Sequence, residues 1–320
     1  MSVKDLSFTV LGPSGCGKTT LLACMNECFS SLMPGSFEAG DSQTFKLLTE
    51  AYRKLEHDAH DDGESLFFTG GIEGTDTDHH YRFNVNAGRT HIPLKFSDFP
   101  GEWLDPRNPD NSAKYSEVER IARSSSVIIA VIDSPYIMHR GNLYSSQAGI
   151  PEIEHVIENS LTDDGKLVLL VPVKCERYLE NDRDAESLRE TVKKHFARTI
   201  ALAGASSSYY GKAAVCILPV KTMGNVMFAR FEEKDGRTLQ VYRRIIGRRF
   251  KPEHTDQPLR YAMSFLLEQY RQKKSASLLG RMFMSSEVEN VITSLREGIR
   301  TDIPGCEVFG REVLGLKEGQ

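Results

Sequence analysis

The sequence predicts a three-layer α/β/α domain, in which helices cover both faces of a mostly parallel β-sheet. Continuous apolar runs at 127–132, 167–173 and 213–218 are typical of parallel strands that are buried on both faces. Segments with helical spacing separate these runs, and alternation of strands and helices produces a layered α/β architecture. A hairpin that precedes the first apolar run adds one antiparallel strand to the predicted sheet.

The N-terminal elements are a strand and two helices. Residues 6–11 predict a strand, a glycine-rich loop follows it, and a helix is expected over 19–29. Apolar residues at three- and four-residue spacing predict an amphipathic helix over 44–59. Asp41 or Ser42 can cap the N-terminus of this second helix.

The later elements begin with the hairpin. Alternating polar and apolar residues at 81–85 and 92–96 predict its two strands, and the turn is expected at 86–89. The other predicted elements are a helix after Pro151, a helix over about 184–203, a hairpin over 227–245 that turns at Asp235-Gly236, a helix from Gln257 and a helix over roughly 285–299.

Composition and charge limit the classes of function. The chain has 320 residues and a net charge of −4, which gives no reason to expect nucleic-acid binding over the whole chain. Its longest apolar runs are too short to cross a bilayer core of about 30 Å, and the N-terminus lacks the apolar segment of a signal peptide. The six cysteines show no zinc-ligand spacing. We therefore expect a cytoplasmic protein with reduced thiols and no membrane span.

The predicted domain organisation is one large domain over 1–274 and a C-terminal helical extension over 275–320. An insertion over about 30–78 separates the first helix from the hairpin. Basic residues cluster within 243–274. Few aromatic residues lie among these charges, so a solvated basic face is favoured over a membrane or nucleic-acid surface.

Residues 12–19 read Gly-Pro-Ser-Gly-Cys-Gly-Lys-Thr and match the phosphate-binding pattern GxxxxGK[ST] in full. Glycines allow backbone N–H groups to turn onto phosphate oxygens, and the following helix adds the positive end of its dipole. Lys18 can bridge the β- and γ-phosphates, and the Thr19 hydroxyl can ligate Mg²⁺. The predicted nucleotide-binding residues of this P-loop are Gly12, Ser14, Gly15, Cys16, Gly17, Lys18, Thr19 and Thr20.

A similar loop sequence occurs in ABC transporter ATPases, which is a competing interpretation. Those enzymes also need an LSGGQ-type signature, and this sequence contains none. Their hydrophobic strand ends in Asp-Glu, whereas the run 127–132 is followed by Asp133 and Ser134. The ABC interpretation is therefore rejected.

Residues 98–101 read Asp-Phe-Pro-Gly and form a DxxG motif at the end of the second hairpin strand. In GTPases this aspartate holds the Mg²⁺ shell, and the glycine N–H reaches the γ-phosphate. Asp98 is therefore a candidate metal ligand and Gly101 a candidate nucleotide contact. Glu102 stands where many Ras-like proteins carry the glutamine that orients the attacking water. It is either a catalytic residue or a solvated loop acid.

Two loops at later strand ends are candidates for base recognition. GTPases follow a buried strand with [NT]KxD, and the second apolar run here leads into Val173, Lys174 and Glu176. The stem of Lys174 can lie over the purine, and Glu176 can accept hydrogen bonds from guanine. Val173 replaces the Asn or Thr and cannot make the polar contact of either. The alternative is a charged loop without a base-reading role. Lys221, after the third apolar run, occupies the position of a further loop that lies against the base.

A threonine just before the hairpin is expected to give its hydroxyl to Mg²⁺ and its N–H to the γ-phosphate. Thr75 is the first choice, for catalysis and for metal binding, and Thr77 is the second. Each can instead be a plain capping or turn residue. The predicted catalytic residues are therefore Lys18, Glu102 and Thr75.

Taken together, these residues resemble bacterial Ras-like GTPases of the TRAFAC class. The resemblance rests on the P-loop, the run Asp-Phe-Pro-Gly-Glu-Trp at 98–103, the degenerate base loop and the run Gln-Pro-Leu-Arg-Tyr-Ala at 257–262, and it covers roughly residues 4–274. The double-GTPase proteins of bacterial conflict systems are similar in these features, and Pro-Gly-Glu-Trp also resembles YcjX-like GTPases. The resemblance implies GTP, Mg²⁺, slow hydrolysis, and an effector or partner GTPase that reads the nucleotide state.

The expected function is a Mg²⁺-dependent, slowly hydrolysing GTPase switch. Val173 and Glu176 leave the choice between GTP and ATP open, so an ATPase is one alternative. A nucleotide-binding scaffold subunit that hardly hydrolyses is a second alternative. A P-loop kinase is a third, although the hairpin before DxxG argues against it.

Overall fold

The computed structural model describes residues 6–32, 37–60, 78–87, 90–105, 111–139, 149–161, 165–204, 213–234, 237–275 and 286–314. The strands are β1 (Leu6–Leu11), β2 (Phe37–Ala39), β3 (His79–Ala87), β4 (Thr90–Asp98), β5 (Val127–Asp133), β6 (Lys166–Val173), β7 (Ala213–Ile217), β8 (Val226–Lys234), β9 (Arg237–Arg244) and β10 (Glu307–Phe309). The helices are α1 (Lys18–Leu32), α2 (Ser42–His60), α3 (Ser112–Ser124), α4 (Ser134–His139), α5 (Ile150–Ser160), α6 (Asp182–His195), α7 (Ala197–Gly204), α8 (Gln257–Ser275), α9 (Ser286–Glu297) and α10 (Arg311–Leu314), and a 3₁₀-helix spans Gly101–Leu104.

The central sheet follows the predicted plan. Within the described ranges it has eight strands in the order β10-β7-β6-β5-β1-β4-β3-β2. β1 pairs in parallel with both β4 and β5, and β6 and β7 continue the parallel part. β3 runs antiparallel to β4, and β2 and β10 add antiparallel strands at the two edges. The predicted α/β fold class is confirmed. The carboxyl ends of the parallel strands lie along one edge, where open α/β sheets bind ligands.

Strand β5 shows how the apolar runs bury both faces of this sheet. Successive side chains of a strand point to opposite faces. The odd-numbered residues of 127–131 pack in the core that holds apolar residues of α1, α8 and α9. The even-numbered residues of 128–132 pack in the core that holds apolar residues of α3, α5 and α6. The chain therefore forms three layers, and the continuous apolar pattern reflects burial on both sides.

The helix expected over 184–203 is two helices, α6 and α7. They meet at Phe196, whose backbone leaves the helical region with φ −110° and ψ 30°. The side chain of Phe196 is fully buried in the core beneath α6. The continuous helical pattern therefore predicted the covering layer but not the break in the helix at this buried ring.

Two short strands were not predicted from the sequence. β2 lies within the predicted insertion and pairs with β3, and β10 lies within the predicted helical extension and pairs with β7. Each contains three residues, which is too short for a two-residue period to stand out. α9 and β10 contribute Val288, Leu295 and Val308 to the same core as β5. The domain boundary at residue 274 stays a prediction.

The predicted amphipathic helix of the insertion is present as α2. The Asp41 carboxylate accepts a hydrogen bond from the Thr44 backbone N–H at 2.6 Å, so Asp41 provides the predicted cap. Leu48, Leu55 and Ala59 are buried, whereas Phe45 remains 59% exposed. Across the part of the chain that the structure describes, no helix is long and apolar enough to span a membrane.

Candidate nucleotide-binding site

The P-loop connects the end of β1 to the start of α1, as the sequence predicts. Gly15 and Gly17 have φ values of +73° and +110°, a region that side chains with a Cβ rarely adopt. A Cβ on Gly12 would approach the Cys16 sulfur to 2.7 Å, so Gly12 and Cys16 close the loop against each other. Thr19 and Thr20 lie in the first turn of α1. The glycine spacing thus turns backbone N–H groups inward at a helix N-terminus, which forms an anion site.

Lys18 is the cation of this loop. Its side chain is buried, and its Nζ donates hydrogen bonds to the carbonyl oxygens of Gly12 at 2.9 Å and Pro13 at 3.2 Å. The ammonium group is therefore held against the loop, within the same segment that presents the inward N–H groups. Phosphate oxygens are stronger acceptors for this charge than backbone carbonyls.

Asp98 ends β4, beside Val10 of β1, and is fully buried. Neither of its carboxylate oxygens accepts a well-formed hydrogen bond from the described residues. Burial raises the pKa of Asp98 to about 6, opposed by the nearby charge of Lys18 and the backbone N–H of Phe99. A buried carboxylate without partners is costly, and hard divalent cations bind carboxylate oxygens. Asp98 and Thr19 are therefore donors of the type that Mg²⁺ prefers, and they fit the predicted metal site.

Gly101 brings the DxxG loop onto the P-loop. A Cβ at this position would lie 1.9 Å from the Ser14 nitrogen and 2.2 Å from the Pro13 carbonyl carbon, so only glycine fits. Glu102 follows in the 3₁₀-helix with an exposed side chain. Its backbone carbonyl accepts hydrogen bonds from the Asn111 side chain at 2.8 Å and the Asp105 N–H at 3.1 Å. The backbone around Glu102 is thus fixed, while its carboxylate faces outward.

Lys174 joins the base loop to the P-loop. Its backbone has a φ of +59°, which is uncommon for a residue with a side chain. Its Nζ donates to the Gly15 carbonyl at 3.1 Å, to the Asp133 carboxylate at 2.5 Å and to the Gln240 side-chain oxygen at 2.9 Å. Asp133 is buried at the end of β5. The lysine predicted from the degenerate base loop therefore bridges three separate elements.

Glu176 lies beneath the same region and is buried. Its Oε1 accepts hydrogen bonds from the backbone N–H groups of Met223 at 2.8 Å and Gly224 at 3.1 Å. Burial raises the pKa of Glu176, and these two N–H groups oppose that rise. Glu176 therefore fixes the loop after β7, and it also lines the cavity described next.

A cavity of about 240 Å³ lies between these loops. Ser14, Gly15, Gly17 and Thr20 of the P-loop region line it, together with Lys174 and Glu176 of the base loop. Lys221 does not line it, since its Nζ pairs with the Glu253 carboxylate at 2.8 Å. The neighbouring Thr222 and Met223 line the cavity instead. The structure thus places part of the P-loop region and two base-loop residues around one space, whereas Lys18, Thr19 and Asp98 are not among the residues that line it.

Sequence reasoning missed the contribution of the β8–β9 hairpin to this cavity. Its residues Thr238, Leu239, Gln240 and Tyr242 line the cavity together with the base loop. The sequence predicted the hairpin from its period, but no motif marks these side chains. The available signal was a glutamine among the apolar residues of a strand.

Several predicted residues lie outside the described ranges. They are the threonines expected before the hairpin (Thr75 and Thr77), the glycines expected to act as hinges beside them (Gly70, Gly71 and Gly74) and two arginines that could reach the site (Arg89 and Arg107). The roles of these residues therefore stay predictions. Arg82, a third arginine that could reach the site, is described and has an exposed side chain on β3. Among the described residues, no group of three or more His, Cys, Asp or Glu side chains is arranged to hold a metal ion.

The sequence pattern of the Double-GTPase 2 family matches residues 8–215, which include the P-loop, the DxxG motif and the base loop. The chain belongs to the Double-GTPase 2 family. This membership confirms the resemblance to double-GTPase proteins and identifies the chain as a P-loop GTPase of that type. No curated protein sequence matches the chain.

Two solved structures resemble this Double-GTPase 2 chain at low identity. A signal recognition particle receptor SRb-GTP/SRX complex from Chaetomium thermophilum is 14% identical with a TM-score of 0.37, covering 68% of this chain and 94% of that chain. Methanosarcina barkeri Roco2 RocCORdC bound to GDP is 15% identical with a TM-score of 0.31, covering 69% of this chain and 45% of that one.

Proposed function

We propose that this protein is a Mg²⁺-dependent GTPase that hydrolyses GTP slowly and reports its nucleotide state to a protein partner. The observation that carries the proposal is the pairing of the P-loop with a buried carboxylate. Asp98 accepts no well-formed hydrogen bond from the described residues, and the charge of Lys18 opposes the rise of its pKa on burial. A bound ion would give this carboxylate the partner that it lacks.

Thr19 and Asp98 are the described residues that would hold Mg²⁺, with Thr75 as the proposed third ligand. The ion would neutralise charge on the β- and γ-phosphates. Lys18 would leave the carbonyls of Gly12 and Pro13 for phosphate oxygens. The Cα of Gly101 packs against the P-loop backbone, so its loop would respond to a phosphate group bound there.

Slow hydrolysis is proposed because the described site lacks an arginine. No arginine is among the described residues that line the cavity. An arginine finger that stabilises the transition state contributes about 10³–10⁵ in rate and is often supplied by a partner protein. Glu102 is exposed beside Gly101, which suits a group that orients water once the loop closes. A partner that supplies an arginine would therefore accelerate turnover.

The proposed partner surface includes α2 and the segment that follows it. Leu55 and Asp58 of α2 line the nucleotide cavity, so this helix contacts the site directly. The Asn225 amide donates to the Ala59 carbonyl at 3.1 Å, which ties the end of α2 to the start of β8. Phe45, at the other end of α2, is exposed.

Hydrogen exchange over 41–80 should differ between the complexes with GDP and with a non-hydrolysable GTP analogue. Equal protection would remove α2 from the switch.

The proposal is tested by calorimetry of the purified full chain with GTP and GDP, with and without Mg²⁺. We expect binding that weakens on removal of Mg²⁺ more for GTP than for GDP, because the γ-phosphate contributes metal ligands. Phosphate release over hours would then establish hydrolysis. Absence of binding to both nucleotides would overturn the proposal.

The second candidate is a nucleotide-binding protein with weak base selectivity that also accepts ATP. Val173 offers no polar group, and one oxygen of Glu176 already accepts two backbone hydrogen bonds. These observations favour it over a strictly guanine-selective protein. Direct competition between GTP and ATP for binding separates the two, since equal affinities would favour the weakly selective protein.

A further inference from the structure

The β8–β9 hairpin covers the base side of the cavity. Successive residues of a strand point to opposite faces, so Gln240 and Tyr242 share a face of β9 while Val241 lies on the other. Gln240 and Tyr242 line the cavity, and Val241 is buried. The register shifts at a bulge between Phe228 and Arg230 of β8, which face this part of β9. Bulges commonly redirect side chains beside functional sites.

The base loop itself lacks an amide. Val173 is fully buried, and its Cγ2 lies 3.4 Å from the position that a Cβ on Gly17 would take. The valine therefore packs beneath the P-loop. In a complete base loop an Asn or Thr at this position supplies a polar group, whereas Val173 supplies no polar group.

The Gln240 side chain brings an amide to this region and is held in one orientation. Its Nε2 donates to Asp133 Oδ1 at 2.9 Å, and its Oε1 accepts from Lys174 Nζ at 2.9 Å and from the Tyr242 hydroxyl. An ammonium group only donates and a carboxylate only accepts, so the amide cannot be flipped. Gln240 is also buried. Its amide is therefore preorganised before any ligand enters.

One donor of this amide remains available. An amide nitrogen carries two hydrogens, and Nε2 uses one on Asp133. Within the described residues, the second hydrogen has no acceptor. The same side chain lines the cavity together with Lys174 and Glu176, the candidate residues for base recognition.

We propose that Gln240 recognises the purine base of the bound nucleotide and supplies, from the β8–β9 hairpin, the amide that Val173 lacks. The inference rests on the proposed function, since it requires a purine nucleotide in this cavity. Guanine presents two acceptors, N7 and O6, on one edge, whereas adenine presents one acceptor and one amino donor. A donor at this edge therefore favours guanine. Asp133 and Tyr242 are positioning residues for the amide.

The test compares GDP and ADP affinities of the full chain by calorimetry in the presence of Mg²⁺. Gln240→Met removes the amide and keeps an unbranched side chain of similar length. We expect GDP affinity to fall about threefold to tenfold, as for loss of one neutral hydrogen bond, with a smaller change for ADP. The preference for GDP over ADP, expressed as the ratio of their affinities, should therefore decrease. If Gln240 had a merely structural role, its replacement would weaken the binding of GDP and ADP by equal factors.

Glu232→Gln is the matched control, because Glu232 lies on β8 of the same hairpin and pairs with Arg230 outside the cavity. It should leave both affinities unchanged. If Gln240→Met fails to fold, Tyr242→Phe is the second variant, because it removes the hydroxyl that donates to the Gln240 side-chain oxygen. It should decrease the preference for GDP over ADP by a smaller factor. An unchanged ratio in the folded variant overturns the inference and leaves the proposed function standing. A wild-type chain that binds neither GDP nor ADP overturns the proposed function itself.

Discussion

The two ends of the nucleotide cavity are built in different ways. The phosphate end is one continuous segment, residues 12–19, in which backbone conformation forms the site. The base end combines side chains from β5, the base loop and β9, which are Asp133, Lys174 and Gln240. Phosphate binding depends on backbone N–H groups rather than on particular side chains, so it requires glycines at fixed spacing. Base recognition depends on side chains, and different elements can supply them.

The largest expected effect tests the phosphate end. Lys18→Ala removes the buried ammonium that the P-loop holds, so GTP affinity should fall at least tenfold, about 1.4 kcal/mol or more. Calorimetry on the full chain measures this change. Lys46→Ala is the control, since the Lys46 side chain is 73% exposed on α2. Unchanged affinity in folded Lys18→Ala would remove the P-loop from nucleotide binding.

The next effect concerns Asp98 without metal. Burial raises its pKa to about 6, above the usual range of aspartate, so the native state binds this proton more tightly than the unfolded chain does. The native state should therefore gain stability as pH falls from about 6 towards 4, and lose it as pH rises through this window. Asp98→Asn removes the buried charge and should stabilise the metal-free protein at pH 7.5, on the order of 1–2 kcal/mol.

Urea unfolding in EDTA, at pH 4 and at pH 7.5, measures this difference. The advantage of Asp98→Asn should disappear at the lower pH, where wild-type Asp98 is protonated. Mg²⁺ with GDP should stabilise the wild type more than the variant. A variant less stable than the wild type at pH 7.5 in EDTA would contradict the assignment of Asp98 as an unsatisfied carboxylate.

A smaller effect is expected at Glu102, which follows Gly101 beside the phosphate end. Its side chain is exposed and its backbone is fixed by Asn111, so Glu102→Ala should leave the fold and GTP affinity unchanged. Single-turnover hydrolysis should slow severalfold if the carboxylate orients water. Glu186→Ala, on the exposed face of α6, is the control. Wild-type turnover would make Glu102 a loop acid.

The smallest effect sharpens the comparison at the base end. Lys221→Ala should change GDP affinity by less than about twofold, because Lys221 pairs with Glu253 and does not line the cavity. Lys174→Ala should weaken GDP binding more than Lys221→Ala does, since Lys174 contacts both the P-loop and Gln240. Calorimetry of the two variants side by side measures this. An equal loss in both would restore Lys221 as a direct base contact.

The sequence predicted the layers of the fold because strands that are buried on both faces consist of continuous apolar residues. It placed the phosphate residues for a similar reason, since their spacing is local. It did not predict the break at Phe196, which depends on the core beneath the helix. The role of Gln240 was also missed, because its partners Asp133 and Lys174 are distant in the chain and meet only through the sheet order.

Strand β10 has a consequence for solubility. It pairs antiparallel with β7, whose residues are all buried, and thereby covers what would be a bare apolar sheet edge. β10 is short, and its Glu307 pairs with Arg189 at 3.4 Å and Lys193 at 3.1 Å. Short, charged outer strands discourage pairing with other chains. A chain cut after residue 274 would retain the P-loop but expose the hydrogen-bonding groups of β7, so we expect it to aggregate through that edge.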